Sequence, residues 1–156
     1  MYKGRKILCV IPARGGSKGL PRKNVLPLSE KPLIAWTIEE ALSSSYLDKI
    51  IVSTDDNEIA GISKEYGAEV PFKRPKKLSS DYAKTTDVIL HALNWLESKD
   101  QFFDLLLVLQ PTSPFRKAFD INEAIKLLVN KKAQSIVSVC EAEHHPYWSN
   151  TLPGDG

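Results

Sequence analysis

The sequence predicts an α/β fold built on a mostly parallel sheet, and two observations carry that prediction. Four apolar runs rich in β-branched residues lack the in–out alternation of a one-sided sheet, as strands buried on both faces do. Between them lie segments with apolar residues at helical spacing, so strand and helix alternate along the chain.

The first strand is "KILCVI" at 6–11, and a glycine- and cation-rich stretch follows it. Ile34, Ile38, Ala41 and Leu42 then share one helical face, with Pro32 placed in the first turn. The second strand is "KIIVST" at 49–54. It leads into a helix striped by Ile59, Ile62 and Tyr66, with Gly67 as its stop signal. A short segment, "EVPF" at 69–72, reads as a third strand at the sheet edge, because Pro71 has no N–H for a ladder. Thr85-Thr86-Asp87 opens a helix striped by Val88, Ile89, Ala92, Leu93 and Leu96. The fourth strand is "DLLLVL" at 104–109, followed by a helix carrying Ile121, Ala124, Ile125 and Leu128. "SIVSVC" at 135–140 reads as the fifth strand. Right-handed crossovers and the reversal that makes a ligand crevice predict the strand order 3-2-1-4-5, with 6–11 beside 104–109. The expected architecture is a Rossmann-like three-layer sandwich.

At 156 residues the chain is long enough for one domain with a proper core. With 42% hydrophobic and 26% charged residues it has an ordinary globular composition. A formal charge of +2 gives no argument for nucleic acid or a membrane surface as partner. No apolar run approaches the ~20 residues that span a bilayer. "ILCVI" is too short for a signal-peptide core. A soluble, cytoplasmic protein is expected. Cys9 and Cys140 both sit in apolar runs and read as reduced core thiols, and no Cys/His spacing resembles a zinc site.

The stretch "IPARGGSKGLPRKN" at 11–24 is the main chemical signal. It leaves the first strand at the carboxyl edge of the sheet, where open α/β folds bind ligands. Its three glycines let the backbone come close to a ligand, while Arg14, Lys18, Arg22 and Lys23 neutralise negative charge. Such a loop suits a polyphosphate. Two familiar phosphate loops are excluded: Leu20 stands where a P-loop starting at Gly15 needs its second glycine, and G-x-G-x-x-G is absent. A solvated basic loop is the bland alternative.

"IPARGGSKGLPRKN", "IVSTDD", "RPKKLSSDYAKT", "LQPTSPFR" and "EHHPYW" occur in this order. Together they resemble the N-terminal two-thirds of the acylneuraminate (CMP-sialic acid) cytidylyltransferases, over nearly the whole chain. That resemblance implies a fold of the nucleotide-diphospho-sugar transferase type, a homodimer, and Mg²⁺ as cofactor. It implies CTP and a nine-carbon 2-keto sugar acid (sialic, legionaminic or similar) as substrates, with CMP-sugar and pyrophosphate as products. Residue by residue, it places Arg14, Lys23 and Asn24 on the CTP phosphates, with Ser17 and Lys18 in the same loop. Arg14, Lys18 and Lys23 would stabilise the departing charge. Arg74, Ala83 and Thr85 match the segment that reads cytidine. Gln110 matches a substrate contact, beside Thr112, Ser113 and Arg116; Arg116 has the fork that pairs bidentately with a carboxylate or phosphate.

Each residue also has a structural reading. Arg74, next to Pro75, would be an exposed edge residue, and Gln110 a strand cap. Asp56 would be the N-cap of the helix "DNEIAGISKEYG", which keeps the pair Asp55–Asp56 out of a metal role. His91 reads as structural, and His144 and His145 as turn or interface residues. The family's metal-binding aspartates belong to a later portion, so the chain is expected to be a single nucleotide-binding domain, 1–156, without that portion. The alternative function is a nucleotide-binding fragment that lacks the metal ligands and is inactive.

Overall fold

The computed structural model describes residues 1–141. In chain order these form β1 (Ile7–Pro12), β2 (Pro27–Leu28), β3 (Lys31–Pro32), α1 (Leu33–Leu42), β4 (Lys49–Ser53), α2 (Asn57–Glu65), a single 3₁₀ turn (Lys76–Leu78), α3 (Thr85–Glu97), β5 (Leu105–Val108) and α4 (Ala118–Asn130). Pro32 stands one position earlier than expected. It is the N-cap of α1, because its backbone is still extended (φ −54°, ψ 144°) and pairs with Pro27 in the β2–β3 hairpin. Gly67 ends α2 as the sequence predicts. It takes φ +92°, and the Gly67 and Ala68 amides donate to the carbonyls of Lys64 and Ser63, closing the last turn.

β1 is the central strand of a parallel sheet, with β4 on one side and β5 on the other. The residues 69–73 run along the outer edge of β4, touching it through parallel bridges at Ile51–Glu69 and Thr54–Lys73. Pro71 falls between those bridges and has no amide to give, so contact is made at two points and not along a ladder. The order is therefore 3-2-1-4, with the first and fourth predicted strands adjacent.

The fifth strand is a correction. Residues 135–140 form no ladder, and Val137 and Val139 are 79% and 88% exposed. Cys140 is exposed with them, so only Cys9 is a core thiol. The reason is visible on β5. Leu106 and Val108 are exposed, and among the described residues α3 packs on β1 and β4 on that face and not on β5. A strand added there would gain main-chain hydrogen bonds but bury one face only, and β-branched composition does not create the missing layer.

Alternation along β1 divides the core. Ile7, Cys9 and Ile11 face Ile34, Ile38, Ile121 and Ile125 of α1 and α4, with Ile59 of α2 in the same cluster. Leu8 and Val10 face Ile89, Ala92 and Leu96 of α3. Helices thus lie on both sides of the sheet, and the fold is a three-layer α/β sandwich. Among the described residues no helix is long and apolar enough to cross a membrane.

Leu96 is fully buried against β1. Leu96→Ala is expected to destabilise the domain by about 2–5 kcal/mol in urea titrations. Val137→Ala should change stability by no more than about 0.5 kcal/mol. A loss of a kilocalorie or more at Val137 would show that 135–140 packs as a strand in solution.

Candidate active site

Strand pairing and loop anchoring place the glycine-rich stretch. The Ala13 amide donates to the Ser53 carbonyl (3.0 Å), carrying the pairing with β4 one residue past β1. Beyond it the Gly15 amide donates to Asp55 Oδ1 (3.1 Å). A Cβ on Gly15 would lie 2.8 Å from Asp56 Oδ2, so no other residue fits here without displacing that carboxylate. Asp56 caps α2, accepting from the Glu58 and Ile59 amides (2.9 and 3.0 Å), as its position before the helix predicts.

Arg22 closes the same junction from the far end of the loop. Its guanidinium donates to both Asp56 and Glu58, although its backbone is left-handed (φ +59°). The sequence reads Arg22 as one of four charge-neutralising loop cations; the structure instead turns it away from any ligand, toward two acids 34 and 36 residues on. The only signal in the chain was an arginine in the loop and two acids at a helix start. The Asp56 carboxyl is held below the usual carboxylate range, first by the Arg22 hydrogen bond and then by the capping amides, with partial burial opposing them.

Asn24 is the second clasp. Its side-chain amide donates to the Arg14 carbonyl (3.0 Å), and its own carbonyl accepts from Ile34 at the start of α1 (3.1 Å). It is buried, so the loop is fastened at both ends.

A cavity of about 370 Å³ opens at the carboxyl ends of β1 and β5. The loop contributes Arg14, Ser17, Lys18, Lys23 and Asn24 to its wall. Arg74, Ala83 and Thr85 come from the segment leading into α3, and Gln110 and Thr112 from the turn after β5. Ser113 and Arg116 do not line it. Arg116 is half-buried, and its electrostatic neighbours are Asp120 and the Cys9 thiol, which belongs to the α1–α4 side of the sheet. Burial pushes that thiol up to about 12, so Cys9 is an inert core group.

Arg74 is a buried residue, not an exposed edge one, with only 5% of its surface accessible. It is fastened to Ser53 through Nε–Oγ (3.1 Å) and through the Ser53 carbonyl. Burial lowers its pKa to about 10; Asp55 opposes that shift and Arg14 adds to it, and the group stays charged at neutral pH. His91 packs edge-on against Phe72 (4.7 Å between centroids), and burial, with Arg74 and Lys77 nearby, holds it toward the neutral form. His144 and His145 lie outside the described residues.

Among the described residues, one charged wall residue has no role in the reading from sequence. Asp81 pairs with both Arg14 and Lys18, at 2.8 Å each. It stands inside the motif "RPKKLSSDYAKT", but nothing in its local sequence points to the loop nearly 70 residues earlier. Asp55 and Asp56 are engaged by Gly15, Arg22 and the α2 amides, and among the described residues no cluster of three or more His, Cys, Asp or Glu side chains forms. These contacts assign both acids to the fold, and no residue is assigned to Mg²⁺.

Residues 8–152 match the family described as Cytidylyltransferase. The chain belongs to that family. Curated relatives include the CMP-N,N'-diacetyllegionaminic acid synthase of Legionella pneumophila, 43% identical over 97% of this chain and 65% of its own length. Another is the pseudaminic acid cytidylyltransferase of Campylobacter jejuni, 40% identical over 89% of this chain and 60% of the relative. The N-acylneuraminate cytidylyltransferase of Escherichia coli is 46% identical over 86% of this chain and 31% of the relative. The chain thus spans between about a third and two thirds of those relatives' length. Among solved structures, CMP:2-keto-3-deoxy-manno-octonic acid synthetase complexed with CTP superposes with a TM-score of 0.69. It is 26% identical, covering 82% of this chain and 49% of its own.

The Arg22 anchor gives two expectations for the glycine-rich loop. Arg22→Ala should raise tryptic cleavage after Lys18 roughly threefold or more, with little change in the global melting temperature, since only a local opening is released. Because the folded Asp56 pKa is depressed, its contribution is present above the unfolded value of about 4 and is lost as pH falls through the folded value. The stability advantage of wild type over Asp56→Asn, which keeps a capping side chain, should therefore shrink in acid denaturation below about pH 4. A constant difference from pH 7 to pH 2 would dissociate Asp56 from the ion pair.

Proposed function

We propose that this chain forms the CTP site of a cytidylyltransferase that activates a nine-carbon 2-keto sugar acid, giving CMP-sugar and pyrophosphate. One observation carries the reading: Arg14, Lys23, Arg74 and Gln110, from three separate parts of the chain, line a single cavity at the carboxyl edge of the sheet. The legionaminic, pseudaminic and N-acylneuraminic acid enzymes among its relatives support the substrate class.

In this reading Arg14, Lys18 and Lys23 receive the phosphate chain, and their charges offset the negative charge that grows on the leaving pyrophosphate. The anomeric hydroxyl of the sugar acid attacks the α-phosphorus in line. Arg74, immobilised by Ser53, and the first turn of α3 at Thr85 present donors to a base held beside them. Ala83 keeps that wall small. Gln110 and Thr112, after β5, face the position of the sugar. Mg²⁺ is part of the family expectation, but Asp55 and Asp56 are occupied as described, and no step is assigned to a metal here.

That occupation also supports the second reading, a module that binds CTP without turning it over. Pyrophosphate release from CTP, Mg²⁺ and a nonulosonic acid separates the two. Binding without release would leave the module.

Arg14→Ala should weaken CTP binding roughly tenfold, the effect of losing a charge-assisted contact. Affinity should fall steeply with salt, since exposed charges are screened over about 10 Å at 0.1 M. In isothermal titrations with the four nucleoside triphosphates, CTP is expected to bind tightest. Equal affinity for all four would defeat the cytidine assignment.

A further inference from the structure

The cationic wall of the cavity already has an anion on it. Among the described residues, the charged ones lining the cavity are the cations Arg14, Lys18, Lys23 and Arg74 and the single carboxylate Asp81. Its two oxygens are divided between the two loop cations, Oδ1 to Arg14 Nη2 and Oδ2 to Lys18 Nζ, both at 2.8 Å. A phosphate group would make the same contacts with the same donors. We propose that Asp81 is a built-in competitor for the phosphate chain, occupying Arg14 and Lys18 until a polyphosphate displaces it, and so setting the affinity of the site. This rests on the reading of the cavity as a phosphate site.

Two further observations fit displacement. Asp81 lies on the segment 79–84 between the 3₁₀ turn and α3, whose backbone is held mainly at its ends: the Ser79 amide donates to the Lys76 carbonyl (3.0 Å) and the Lys84 carbonyl accepts from Asp87 and Val88 (3.1 and 3.3 Å), with one bond inside it, from the Ala83 amide to the Ser80 carbonyl (3.3 Å). The neighbouring Tyr82 is 93% exposed, so no packing holds the segment down at that point. The carboxylate therefore sits on a piece of chain that can move, while its partners sit on a loop clasped at Gly15, Arg22 and Asn24. Nor can the two anions share the cations. A phosphate and a carboxylate within a few ångströms repel, and the more highly charged ligand makes the larger number of contacts.

A purely structural Asp81 would have the opposite signature. If its ion pairs only pre-shape the loop, removing it loosens the site and weakens binding. If it competes, removing it tightens binding.

The test is isothermal titration of tripolyphosphate and of CTP into the 1–156 chain as wild type, Asp81→Asn, Asp81→Ala, and Asp81→Asn combined with Arg14→Ala and Lys18→Ala. Both single variants should bind both ligands roughly three- to thirtyfold more tightly, the range set by two partly exposed ion pairs, and the gain should vanish in the combined variant. In wild type, hydrogen exchange over 79–84 should accelerate when tripolyphosphate is added, a reading that needs no variant. Unchanged or weaker affinity in both Asp81 variants, slower exchange over 79–84, or no polyanion binding by any of these chains overturns the competitor. The two readings fail separately. Tighter tripolyphosphate with no preference for CTP defeats the cytidine site and leaves the competitor. A retained CTP preference that is indifferent to Asp81 does the reverse.

Discussion

Everything in this domain depends on the parallel pairing of β1 with a neighbour on each side. Because β4, β1 and β5 run the same way, their carboxyl ends emerge at one edge. The loop after Pro12, the acids after Ser53 and the turn holding Gln110 are therefore delivered to one place. Parallel strands need covered faces, so the pairing also demands the helix layers above and below. Burying Leu8 and Val10 against α3 and Ile7, Cys9 and Ile11 against α1 and α4 contributes about 1.5–3 kcal/mol for each large side chain. A rigid edge follows from this, and the loop is mounted on it.

The second constraint is electrostatic. A loop with Arg14, Lys18, Arg22 and Lys23 within ten residues repels itself unless its charges are answered. The fold answers two sets in different ways. Arg22 is matched by Asp56 and Glu58 at the start of α2, a rigid element, which makes that cation part of the scaffold. Arg14 and Lys18 are matched by Asp81 on a lightly held segment, which leaves them available. Lys23 lines the cavity. Four cations that look alike in the sequence thus have three different situations, set by what each one meets.

Membership of the cytidylyltransferase family agrees with this division. The matched region contains the loop, the Arg74–Thr85 segment and the turn at Gln110–Thr112, which together make the cavity. Gly15 shows how tightly the parts are coupled: its missing side chain lets the Asp56 carboxylate lie against the loop backbone, while its amide donates to Asp55.

The sequence by itself determined the local and periodic features. Strand and helix alternation, the stop at Gly67, the Asp56 cap, the edge role of "EVPF" and the pairing of the first strand with the fourth all follow from patterns of a few residues or from chirality. So did the grouping of Arg14, Lys23 and Gln110 at one sheet edge, since the ends of adjacent parallel strands must meet. Only the tertiary structure decided what needed partners far away in the chain. The apolar run 135–140 pairs with no strand, and among the described residues no helix covers that face of β5. Arg74 is buried because Ser53 receives it, Arg116 stands outside the cavity wall, and Arg22 and Asp81 act on groups more than 30 residues distant. The physical reason is common to all of them. Backbone preference is a property of a short segment, whereas burial and charge pairing belong to two surfaces that exist only after the chain has folded.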